Sequence, residues 1–123
     1  MKLGDTFIPL APQHDGHLWV VISEPTPQNR LAIVNFTTRR PACDDSCIAR
    51  PGEHPFLNRE SILLYARARL QDVDALDSHV KAGYYQVREP VGNALLRRIQ
   101  EGALQSIYTS GVVQSSVRAT LGY

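Results

Sequence analysis

Two apolar segments, separated by a stretch that cannot be regular, constrain this chain most. "HLWVVIS" (17–23) is a nearly continuous apolar run rich in β-branched residues, which reads as a strand buried on both faces. "RLAIVNFTT" (30–38) alternates instead, with Leu31, Ile33 and Asn35 on one side and Ala32, Val34 and Phe36 on the other. Between them "EPTPQN" carries two prolines and an asparagine, which interrupt helix and strand alike. Sequential strands joined by so short a link pair antiparallel. The centre of the fold is therefore an antiparallel pair, and the remaining segments have to flank it.

"TFIPLA" (6–11) has β-formers, with Pro9 limiting it to an edge or bulged strand, and Asp15-Gly16 is a turn signal. Residues 39–60 carry three prolines and few periodic apolars, with room for a short strand at Ser46 to Arg50. "ESILLYARARLQDV" (60–73) supports two readings. A helix would place Ile62, Ala66 and Leu70 on one stripe. A strand would turn Leu64, Ala66, Ala68 and Leu70 inward and Tyr65, Arg67 and Arg69 outward. "DALDSHVKAG" (74–83) reads as a short helix or turn ended by Gly83. After it the pattern predicts a helix with Pro90 in its first turn and Val91, Leu95, Ile99 and Ala103 recurring every four residues, Leu96 and Ile107 beside them. Gly92 and Gly102 weaken that helix. From Thr109 to Tyr123 no period is sustained, and the segment reads as a flexible or partner-binding tail, with Val112-Val113 available for a late strand.

At 123 residues the chain makes one domain, 1–108, plus that tail. No apolar run approaches the roughly 18 residues that span a bilayer, and the start lacks the apolar core of a signal peptide, so the expectation is a cytoplasmic protein with no membrane partner. A net charge of +1 excludes a generally basic nucleic-acid binder. Arginine is nonetheless concentrated early, at Arg30, Arg39, Arg40, Arg50, Arg59, Arg67 and Arg69, where the only lysine is Lys2. Its planar fork suits local phosphate contacts; the plainer reading is a solvated surface. Cys43 and Cys47, with His54 and either His14 or His17, could be assembled into a metal site. Two thiols without an established ligand spacing do not make one, so free thiols and no cofactor are expected.

Taken in order, "KLGDTFIPL", "HLWVVIS", "RLAIVNFTT" and "ESILLYARARLQDVDALD" resemble the segments of the MazF/PemK family of toxins. The resemblance covers about 105 residues, and its individual motifs are short. It implies a mainly β fold with a C-terminal helix, a small SH3-like antiparallel barrel of the MazF/PemK/CcdB type. It further implies an RNA-cleaving toxin that acts as a homodimer and is inhibited by an antitoxin protein. It also selects the strand over the helix for 61–70. The chain departs from the family in its first loop. Where RNA-cleaving members carry an arginine, "APQHDGHL" has His14, Asp15 and His17. The alternative is a barrel without enzymatic activity that binds a protein target, as CcdB toxins do.

RNA cleavage through the 2′-hydroxyl needs a base, an acid and a cation at the phosphate. Histidine titrates near neutrality and serves as either of the first two. Arginine supplies the third. The candidate catalytic residues are His14, His17, Thr37, Thr38, Arg39 and His54, with Arg40, Arg50 and Arg67 as candidates for binding substrate. They form a site only if the first loop meets the end of the second segment of the central pair. The plainer reading of these residues is a polar hairpin tip, a strand-end threonine pair and exposed arginines. For His54, between Glu53 and Pro55, it is a histidine anchoring its loop by hydrogen bonds.

Overall fold

The structure is a computed structural model that describes residues 1–10 and 16–123. The central pair is present: β2 (Trp19–Val21) lies antiparallel to β3 (Arg30–Thr38) in the register Trp19↔Asn35, Val20↔Val34 and Val21↔Ile33. The alternation in β3 divides two cores. Ala32, Val34 and Phe36 join Leu18, Val20 and Ile22 on one face. Leu31 and Ile33 join Trp19 and Val21 on the other. Both sides of β2 are thus covered, which is why its sequence is apolar without a break.

Five shorter strands complete the sheet among the described residues. β1 (Thr6–Pro9) pairs with β2, and β7 (Tyr85–Arg88) with the outer side of β1. On the far side of β3 lie β5 (Ser61–Leu63) and β6 (Arg69–Asp72), with β4 (Ile48–Ala49) beyond β5. β1 is therefore an inner strand, not the edge that Pro9 suggested. Pro9 is tolerated because β1 pairs with β2 only through Thr6 and Phe7, so its missing N–H falls where that ladder has ended. The ends of the path, β4 and β7, do not pair with each other. The molecule is mainly an antiparallel sheet with three helices, and the sheet is not a closed barrel.

The segment 61–72 is neither of the two regular forms its sequence allowed. β5 and β6 both pair with β3, but Phe36↔Leu63 and Ile33↔Arg69 belong to registers three residues apart. A 3₁₀ turn at Tyr65–Arg67 takes up the difference. Inward and outward consequently change places around it. Ala66 is exposed, while Tyr65, expected outside, is fully buried and donates its hydroxyl to the Ile99 carbonyl at 2.7 Å.

Helices cover both faces. α1 (Val73–Lys81) lies over Phe7, Trp19 and Leu31, and its Leu76 is buried among them. It ends as its sequence indicated: Gly83 has φ +84°, its amide donates to Val80 and that of Tyr84 to His79, so the last carbonyls are satisfied. On the opposite face α2 (Asn93–Gln105) buries Leu95, Leu96, Ile99 and Ala103. It begins three residues after Pro90, because the Val91 amide is engaged by the Gly4 carbonyl and Gly92 is extended. Ile107, expected on its apolar stripe, lies beyond its end and is 89% exposed. Residues 109–123 contain a third helix, α3 (Gly111–Leu121), where a flexible tail or late strand was expected. Val113 and Val117 are buried in the core beneath α2 and β3.

Candidate functional site

A polar cleft of about 230 Å³ opens where β2 begins and β3 ends. Strand register builds it. Extending the Trp19↔Asn35 pairing by two residues sets His17 opposite Thr37, and the Phe36 amide donates to the Leu18 carbonyl at 2.9 Å to hold that extension. Across the other edge of β3, Thr37 faces Ile62 and Thr38 faces Ser61. The hairpin start, the strand end and the entry to β5 therefore meet along one line. His17, Thr37, Thr38 and Arg40 line the cleft together with Phe56, Asn58, Arg59 and Ser61.

Four of the nine candidate residues are thereby brought together. The others lie elsewhere. Arg39 turns into a neighbouring hollow, where its Nη1 meets Glu60 at 2.5 Å and its Nη2 lies 3.9 Å from Asp45. The hydrogen bond to Glu60 is the main reason that its pKa is raised. Arg40 borders both hollows. Arg67 sits over the indole of Trp19, 5.6 Å from its centroid, with Arg69 at 4.6 Å. Arg50 is exposed, and its amide donates to Glu53 at 2.7 Å. His14 lies outside the described residues.

His54 is an anchor. It is 2% exposed. The Phe56 amide donates to its Nδ1 at 3.1 Å, so the ring proton belongs on Nε2, which donates to the Glu89 carbonyl at 2.6 Å. Thr6 donates to that same carbonyl at 2.7 Å. Both ring nitrogens are thus committed to tying the 50–57 loop to the ends of β1 and β7. The loop is also fixed at its start. Arg98 of α2 binds the Glu53 carboxylate and the Ile48 carbonyl. That guanidinium holds the Glu53 carboxyl below its usual range. Burial pushes the Asp44 carboxyl up, but hydrogen bonds from Ser106 and Ser46 outweigh it and hold the group low.

The cysteines offer no nucleophile. Cys47 is buried beside Tyr65, and burial pushes its thiol up. Among the described residues no cluster of histidine, cysteine, aspartate and glutamate is arranged to hold a metal.

Asn58, Arg59, Ser61 and Phe56 escaped the sequence reading as site residues. "HPFLNRES" has no spacing tied to a chemistry, and its side chains reach the cleft only because β5 pairs with the end of β3. The arrangement presents one imidazole, three hydroxyls, an amide and two guanidiniums to a common space. Such a set can bind an oxyanion and exchange a proton with its neighbour. Compared with family models, curated proteins and solved structures, the chain matches none.

Proposed function

We propose that this cleft binds a phosphodiester and that the chain cleaves single-stranded RNA as the toxin of a toxin–antitoxin pair. One observation carries the proposal: His17, Thr37, Thr38 and Arg40 line the same hollow, the condition under which the sequence candidates could act together. In the reaction His17 takes the 2′-hydroxyl proton as the 2′-oxygen attacks the adjacent phosphorus. The bond to the 5′-oxygen breaks, a 2′,3′-cyclic phosphate remains, and the departing oxygen recovers a proton from the imidazolium. Arg40 and Arg59 offset the charge that grows on the phosphoryl oxygens, and the Thr37 and Thr38 hydroxyls donate to them. These arginines stand in for the first-loop arginine that the chain lacks. On this reading the sheet is a variant of the MazF/PemK/CcdB barrel, the working unit is a homodimer, and an antitoxin protein inhibits it.

The test is induced expression in a bacterium, scoring growth and the integrity of total RNA, beside His17→Ala and Arg40→Ala variants. Growth arrest with RNA fragments that disappear in both variants is the expected result. Arrest with intact RNA would transfer the function to a protein target. Normal growth with intact RNA would remove the toxin reading.

A further inference from the structure

A phosphodiester site accounts for the cations and hydroxyls of the cleft but not for its aromatic wall. Phe56 is half-buried and lines the same space as Arg40, Asn58 and Arg59. Its position is held from several directions. Its amide is bonded to the buried His54 ring, the Leu57 amide donates to the His54 carbonyl at 2.9 Å, and the Gly52 amide donates to the Leu57 carbonyl at 3.2 Å. Arg88 of β7 places its guanidinium 5.6 Å from the centre of the phenyl ring. The ring therefore belongs to a fixed wall, and an attached cation polarises it.

A bare phosphate or a phosphorylated small molecule gains little from such a ring. A nucleobase gains a stacking surface, and every base has a face to offer it. The Asn58 amide, on the same wall, supplies one donor group and one acceptor of the kind that base edges pair with. We infer that Phe56 is the stacking platform for the base adjoining the bound phosphodiester, with Asn58 and Arg59 beside that nucleotide. The ligand of the cleft is accordingly a single-stranded RNA chain, bound through base and phosphate together. His54 acts through Phe56, as a positioning residue. The inference rests on the phosphodiester reading above and adds the base to it.

Fluorescence titration of the full chain tests it with two probes of equal length. One is a short mixed-sequence 2′-O-methyl RNA, which cannot be cleaved through its 2′-oxygen; the other is an abasic phosphodiester chain. The wild type binds the RNA about ten-fold more tightly than the abasic chain, the size expected for one stacked base. Phe56→Leu removes that preference and leaves abasic binding unchanged, and Phe56→Tyr keeps it. Arg40→Ala weakens both probes. Equal binding of the two probes by the wild type would overturn the inference. So would a Phe56→Leu variant that loses both affinities in step while Phe56→Tyr retains both, since the ring would then matter only for the fold. Binding of neither probe is a different failure, because it removes the phosphodiester reading and takes the stacked base with it.

Discussion

Gly102 shows how much a single residue can decide here. In the sequence it is a weak point in a helix. In the structure a Cβ at that position would stand 2.4 Å from the Tyr65 hydroxyl and 2.9 Å from the Cys47 Cβ. The glycine lets α2 approach β4 and the 3₁₀ turn closely enough for Tyr65 to reach the Ile99 carbonyl. Gly102→Ala should therefore destabilise the fold by about 1–3 kcal/mol through overpacking, although alanine is the better helix former. Urea denaturation measures it, and an unchanged midpoint would mean that the contact relaxes freely. His54→Leu removes the acceptor of the Phe56 amide and one of two donors to the Glu89 carbonyl. The expected loss is about 1–3 kcal/mol, the cost of leaving buried polar groups unsatisfied. A catalytic His54 would instead give a stable variant with impaired RNA cleavage.

At the scale of elements, α3 and the 60–72 segment carry the lessons. Val113 and Val117 are fully buried, whereas Val112 is 60% exposed. Val117→Ala should cost on the order of 2 kcal/mol and Val112→Ala close to nothing, a contrast that urea titration of the two variants measures. A tail detached from the core would make both substitutions silent. The 61–72 segment was ambiguous because it changes form within itself. Strand, 3₁₀ turn and strand follow within twelve residues, and alternation read across the turn assigns Ala66 to the wrong side. The register shift that causes this is set by β3, which no local pattern in 61–72 encodes.

For the whole molecule the loop from Asp44 to Leu57 is the joint between sheet and α2. Asp44 meets Ser106 at the end of α2, Glu53 meets Arg98 within it, and His54 meets Glu89 beyond β7. Both carboxyls are held below their ordinary values in the folded chain. A depressed carboxyl contributes stability above its unfolded-state pKa and loses that contribution as pH falls through the folded one. These two groups therefore leave stability level from neutral pH down to about pH 5, then reduce it as the pH falls through the carboxylate range. Denaturation midpoints measured against pH check this, and Asp44→Asn should flatten the acid limb. An acid limb unaltered by that change would mean that the Ser106 contact does not act on the carboxyl in solution.

The sequence alone determined the centre of this protein and the ends of its helices. Burial on both faces demands an unbroken apolar run, so "HLWVVIS" had to be an inner strand, and the alternation of 30–38 sorted its residues correctly between two cores. Gly83 ended α1 because a left-handed residue is needed to close the last turn. Such signals are local and survive in a linear string. The cleft is not local. His17 meets Thr37 through the β2–β3 register, Ser61 meets Thr38 through the β3–β5 register, and Phe56 reaches the same space through a loop anchored 35 residues away at Glu89. Arg39 and Arg40, adjacent in sequence, were equivalent until the fold paired the first with Glu60 and brought the second to the cleft. Side chains distant along the chain share a space only when pairing and packing place them there, so the tertiary structure alone decided which candidates stand together.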